Sequence, residues 1–427
     1  MTRRTRFILL LAGIAGAVAA FAIAWFPIDR REPVPAFSYE ALAGSVFSPS
    51  PQDPFRPPQV RELALPSFVD ATSVWGATGR DFRGHIWVGV SASSAGMSAH
   101  LFEYDPETDV WHDRGGVVER LKAARLNREG EGQIKIHSRI VPASDGWLYF
   151  ASTDEEGETP RGNVPPRWGG HLWRIHPDRH DWQHLLAVPE GLVAVSGVGR
   201  YVYALGYWGH VLYQYDTATG ATGRVVVGSV GGHVSRNFLA DIRGHAYVPR
   251  LREQPAGTVS AALVEYDADL KEVAATPLQF YLDRESPESN HGIVGLAYLA
   301  DGGMVFTTHL GHLYRIDPRD GAPAEVTPVG WFDPEGRTYA PSLFALGGKV
   351  WLGGVVHRRE GFAWVVFQLG TGLSAAFPLD THGLRDVLLY GSIGRDNAGR
   401  AYVGGWAAKE GGGQRPLVLR IDPTWSR

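Results

Sequence analysis

From residue 60 onward the chain alternates apolar and polar positions in short bursts, broken by steps rich in glycine and aspartate. Period two over so few residues predicts short strands rather than helices. One burst recurs with the ending apolar–x–x–(Tyr, Ile or Leu)–Asp, the Asp being replaced once by His and once by Gly. It runs LFEYD to Asp105, LWRIH to His176, LYQYD to Asp216, LVEYD to Asp267, LYRID to Asp317, VFQLG to Gly370 and VLRID to Asp422. The steps between copies are 71, 40, 51, 50, 53 and 52 residues. Upstream of several copies stands Asp-x-x-Gly-x-apolar-aromatic: Asp81 to Trp87 (DFRGHIW), Asp241 to Tyr247 (DIRGHAY) and Asp396 to Tyr402 (DNAGRAY). Asp and Gly there make a tight turn between two strands, Gly supplying the positive φ and Asp capping the loop.

A unit of this length holds four short antiparallel strands and cannot cover both its faces alone, so neighbouring units must stack. Radial stacking leaves only short, protected edges. The expectation is an all-β fold, a seven-bladed β-propeller over residues 60–427. After Asp422 too few residues remain for an outer strand, whereas Val60–Pro66 (VRELALP) has no unit of its own. That segment is therefore expected to be the outer strand of the last blade, so that the N-terminal strand closes the ring. An eight-bladed ring is the alternative, with the 71-residue step supplying the extra blade. Read as insertions, the same step holds a charged helix-like stretch, Val117–Arg128, and an acidic, Pro/Gly-rich loop, Thr153–Gly170.

The first thirty residues follow another pattern. Arg3, Arg4 and Arg6 precede an uncharged run, Phe7–Phe26. Twenty helical residues span about 30 Å, the thickness of a bilayer core. Residues 1–30 thus read as a signal anchor or a cleaved signal peptide, with Ala22-Ile23-Ala24 as a weak cleavage site; a buried core helix is the bland alternative. The flanking charge sends the remainder outward. The protein is expected to be exported, facing the periplasm or the outside, with residues 7–26 anchoring it in the inner membrane. Residues 31–59 are a Pro-rich linker, stiff and extended.

Composition narrows the chemistry. The chain has 53 Gly, 28 Pro and no Cys, which removes disulfides, thiolate metal sites and a Cys nucleophile. Net charge is −4 and becomes −7 without Arg3, Arg4 and Arg6, so no nucleic-acid partner is expected. Phosphate loops, His-Glu-x-x-His and Gly-x-Ser-x-Gly are missing from the sequence.

Blades 1, 6 and 7 resemble kelch repeats. Ile86 to Trp111 (IWVGV…LFEYDPETDVW), VWLGG…VVFQLGTG and AYVGG…VLRIDPTW carry the paired small residues and the apolar third strand. The Asp-x-x-Gly turns are similar to those of bacterial secreted propellers of the virginiamycin-B-lyase-like and polysaccharide-lyase kind. The resemblance implies a ring with a ligand at its channel mouth; it identifies no particular function.

Aligning the units on their second-strand aromatic and stepping back 12 residues gives one channel-facing residue per blade: Trp75, His137, Gly191, Ser235, Val294, Tyr339 and Tyr390. Arg139, His233, Arg236, Asn237, Asn290 and His291 stand close by. Two chemistries follow. In the first, a polar, uronate-containing carbohydrate crosses the mouth, its carboxylate paired with Arg139 or Arg236. His137, His233 or His291 then takes the C5 proton, and Tyr339 or Tyr390 protonates the leaving oxygen, a lyase-type β-elimination. In the second, His137, His233, His291 and His382 converge on a divalent metal at the axis. No cofactor is otherwise implied. Trp75, Asn237 and Asn290 would contact ligand, and Trp168, Tyr207 and Trp208, in glycine-rich loops, would offer exposed rings to a sugar face. Against both chemistries stands a plain reading, in which these polar groups bind only channel water and backbone carbonyls. The Gly-His dipeptides at His85, His210, His245 and His312 are assigned to structure. A non-enzymatic platform for an envelope protein partner is the competing class of function.

Overall fold

A computed structural model describes residues 54–159, 164–207, 210–230, 233, 235–255, 258–281, 291–347, 351–381, 383–392 and 394–423. The leader, most of the Pro-rich stretch, Trp208, Asn290 and His382 lie outside the described residues. Among the described residues no helix is long and apolar enough to cross a membrane.

The strands form seven antiparallel sheets, each of four or five strands, and the chain is a seven-bladed β-propeller. Blade 3 shows the plan, with Leu192–Ser196, Tyr201–Gly206, Val211–Asp216 and Thr222–Val226 laid side by side in chain order. Six sheets are built in this way from consecutive strands, with an extra inner strand in each of blades 1 and 2. The seventh takes Leu388–Leu389, Ala401–Ala408 and Gln414–Asp422 from one end of the chain and Gln59–Glu62 from the other, with Gln59 opposite Asp422 and Glu62 opposite Leu419. The 71-residue step adds no blade. It contains a helix, Val117–Ala123, shorter than the charged stretch expected there, because Arg125 adopts a positive φ of 58° just beyond it.

The recurring turn has a physical reason for each of its residues. In blade 1 the Arg83 and His85 amides donate to Asp81 Oδ1, and the Trp87 indole donates to Oδ2 at 3.2 Å. Blade 4 repeats this with Asp241, where Tyr247 Oη donates to Oδ2 at 2.8 Å. In blade 7 the corresponding Tyr402–Asp396 bond is 2.7 Å. The glycine between them, Gly84, Gly244 or Gly399, has φ between 82° and 90°, a region other residues enter at a cost. So the aromatic at the sixth position after Asp does two things. It fills the space between blades and satisfies the buried carboxylate.

That inter-blade space is where the core sits. Tyr203 and Leu205 of blade 3 share one apolar cluster with Ala246, Val248 and Val264 of blade 4, and Tyr402 of blade 7 shares another with Val88 and Phe102 of blade 1. Trp87, Tyr149, Tyr203, Tyr247, Phe306 and Tyr402 are all fully buried, each contributing about 1.5–3 kcal/mol by its removal from water.

Candidate functional site

The innermost strands of blades 2, 4, 6 and 7 are only two residues long: Lys135–Ile136, Leu239–Ala240, Phe344–Ala345 and Leu388–Leu389. The side chains that meet at the axis come from the irregular segments beside these strands. His137 and Arg139 follow Ile136, Arg236 and Asn237 precede Leu239, His291 precedes the strand Ile293–Tyr298, Tyr339 precedes Phe344, and Tyr390 follows Leu389. Gly391 lets blade 7 come close to blade 6 here, since a Cβ on it would lie 2.4 Å from the Pro341 carbonyl oxygen.

Arg236 is the hub. Its Nη1 lies 3.5 Å from His137 Nε2 in blade 2, and its Nη2 lies 3.5 Å from His291 Nε2 in blade 5. The guanidinium carbon stands 4.8 Å from the ring centroid of Tyr390 in blade 7. A guanidinium only donates, so both Nε2 atoms face it as acceptors and both rings carry their proton on Nδ1. His137 Nδ1 then donates to the Val193 carbonyl at 3.1 Å, and His291 Nδ1 to the Tyr339 hydroxyl at 2.9 Å. Among the described residues no carboxylate pairs with Arg236 or with Arg139.

Burial and the nearby Arg236 charge hold the His137 imidazole well below its ordinary range and bring His291 down to about 2. Both rings are neutral at physiological pH. Burial pushes the Tyr339 hydroxyl up to about 12, with Arg236 opposing the shift, so Tyr339 keeps its proton. Around Arg236 the site therefore offers a fixed cation, two neutral imidazoles and a protonated phenol, with Arg139 as a second cation in the wall.

The wall extends this set. The Trp75 and Tyr390 rings lie 4.9 Å apart, and Lys135 Nζ stands 4.8 Å from the Trp75 centroid while pairing with Glu155 at 2.5 Å. His309 and His357 stack edgewise on Tyr339 at 5.3 and 5.0 Å, and His357 Nε2 donates to the Leu389 carbonyl at 2.8 Å. Asn237 Nδ2 donates to the Val294 carbonyl at 2.7 Å. Together Trp75, His137, Arg139, Arg236, Asn237 and Tyr339 line a cavity of about 20 Å³. That is room for a small group such as a water or a carboxylate.

The structure thus brings together Trp75, His137, Arg139, Arg236, Asn237, His291, Tyr339 and Tyr390. It does not bring in His233, whose ring is buried, stacks on His210 at 5.2 Å and meets Tyr281 Oη at 3.0 Å. The axial metal set fails on the same geometry. The lone pairs of His137 and His291 face a guanidinium where a metal would have to sit, and His233 points elsewhere. Another acid–imidazole group, Asp81–His85–Glu103, belongs to the blade 1 turn and is filled by Arg83, 2.8 Å from both carboxylates.

Trp168 and Tyr207 also differ from their sequence reading. Trp168 is only 9% exposed, packed between Arg128 and Arg167 with its indole donating to Glu156. Tyr207 is buried and donates to Glu158. Arg167, Glu156 and Glu158 of the loop between Thr153 and Gly170, together with Arg128, occupy both rings, so neither is a sugar platform. His309, His357 and Lys135 were missed. His357 faces Tyr339 across a β-bridge from the second strand of blade 6, a pairing that leaves no local mark in the sequence.

No protein-family model matches the chain, and no curated protein matches it in sequence. Several solved structures are similar to it in fold. YCF48 bound to D1 peptide shares 13% identity, with a TM-score of 0.49 over 89% of this chain and 100% of that one. YCF48 from Cyanidioschyzon merolae shares 13%, with a TM-score of 0.48 over 85% and 99%. The extracellular domain of BT4673 from B. thetaiotaomicron shares 14%, with a TM-score of 0.48 over 85% of this chain and 40% of that one. At such identity the likeness is one of architecture.

Proposed function

We propose that the propeller binds a polar, carboxylate-bearing ligand at its channel mouth, with the carboxylate on Arg236 and a uronate-containing carbohydrate as the ligand class. The observation that carries this is a guanidinium with no carboxylate partner among the described residues, held between two imidazole lone pairs. A bidentate carboxylate is the natural complement of such a fork. The cavity's small volume admits the carboxylate head while the sugar ring stays above it. Export, read from residues 1–30, would put the site where such glycans occur.

The same groups suit β-elimination. Neutralising the carboxylate on Arg236 acidifies the C5 proton. Once the carboxylate has drawn Arg236 away from His137 Nε2, that nitrogen takes the proton, the C5–H electron pair becomes the C4–C5 double bond, and the C4–O bond breaks. Tyr339 gives its proton to the departing oxygen.

Calorimetric titration of the full chain with uronate oligosaccharides and with their neutral, carboxyl-reduced counterparts tests the binding. Arg236→Met should weaken uronate binding about 10- to 100-fold, the value of a charge-assisted hydrogen-bond pair. Equal affinity for charged and reduced ligands would end the proposal. Ultraviolet absorbance of the unsaturated product separates lyase from binder: turnover lost in His137→Ala and Tyr339→Phe marks an enzyme, whereas binding without absorbance marks a receptor or platform.

A further inference from the structure

The cavity at the axis holds more positive charge than any groove for a neutral molecule requires. Its lining includes two arginines and no aspartate or glutamate among the described residues, in a chain whose net charge is −4. Arg139 is the more demanding of the two. It is only 6% exposed, and its Nε is buried without a hydrogen-bond partner. Its Nη2 reaches neutral oxygens at long range, the Val195 carbonyl at 3.5 Å and Ser196 Oγ at 3.4 Å, and the Tyr298 hydroxyl is its other neutral hydrogen-bonding neighbour. Arg236 Nε is likewise buried without a partner. A guanidinium cannot shed its proton at accessible pH, so burial does not relieve the charge. An uncompensated buried ion costs several kcal/mol, which a counter-ion offsets.

We infer that the axial cavity is a binding site for a single small monovalent anion of halide size, held between Arg139 and Arg236. Size and charge choose the class together. The volume of about 20 Å³ suits one small ion. The surroundings suit a weakly hydrated anion, since Trp75, Val294, Leu296 and Pro341 make much of the remaining wall apolar. The halide site shares Arg236 with the carbohydrate reading, so the two anions compete there; chloride-dependent unfolding without uronate and uronate calorimetry in chloride-free buffer read them separately.

The test is thermal unfolding of the full chain at constant ionic strength, exchanging a bulky sulfonate for chloride. The midpoint should climb along a saturating curve, by about 3–6 °C at a hundredfold excess over the dissociation constant. Arg139→Met should flatten that curve and raise the midpoint in chloride-free buffer, because the unpaired charge is gone. If that variant does not fold, Arg236→Met should likewise flatten the chloride curve. Crystals grown in bromide should show an anomalous peak in hydrogen-bond reach of both guanidinium groups. A midpoint indifferent to chloride, or bromide found only on the outer surface, would overturn the inference.

Discussion

Asp241 shows how one side chain sets a blade. It accepts the amides of Arg243 and His245, the hydroxyl of Tyr247 and the guanidinium of Arg243, all while nearly fully buried. Asp241→Ala strands two amides and a phenol at once, and should lower stability by about 2–4 kcal/mol in urea unfolding. Tyr247→Phe removes one partner and keeps the packing, so about 1 kcal/mol is expected. Histidine gives a second test at this scale. His210 is buried, and that burial lowers it to about 4. As pH falls below about 6.5, the unfolded chain gains a proton there that the folded chain refuses. The stabilisation is complete above that pH and is lost as pH falls toward 4, with a slope near 1.4 kcal/mol per pH unit. His210→Gln should reduce the fall in the denaturation midpoint between pH 7 and pH 5; an unchanged fall would show that this ring is not neutral.

At the scale of strands and loops, periodicity carried most of the fold. The apolar–x–x–(Tyr, Ile or Leu)–Asp bursts are third strands because that strand packs on both faces and ends in a capped turn, as Val211–Asp216 does. The candidate site was legible in residue type but less so in position. Stepping back from Tyr247 points to Ser235, yet the central group is its neighbour Arg236. The inner strand of blade 4 is only two residues long, so no regular alternation fixes which side chains turn inward. Trp168 and Tyr207 were misread because a loop's own charges cover them, a tertiary event with no local signature. The pairing of Gln59–Glu62 with Gln414–Asp422 yields a prediction of this scale. Four ladder positions, the Leu63 amide bond to Val418 and the Arg415–Glu62 ion pair hold that edge. A chain beginning at Ser67 should lose about 2–5 kcal/mol and scatter more light on warming, since it exposes an unpaired strand.

Across the whole molecule, Arg236 ties blade 4 to its neighbour blade 5 and also to blades 2 and 7, and these last two contacts are ones that neighbour-to-neighbour packing does not make. Arg236→Met should therefore broaden the unfolding transition as well as weaken ligand binding, and differential scanning calorimetry reads the broadening directly. A variant with an unchanged transition but lost binding would confine this residue to recognition.

The seventh sheet has a topological consequence. Because Gln59 and Asp422 are opposite partners in one ladder, the start and finish of the ring lie side by side. A short glycine bridge could join them without stretching any strand. The point at which translation begins is then arbitrary, and a circular permutant opened in the turn at Gly321, whose φ is 68°, should recover the same ring with its axial residues in register.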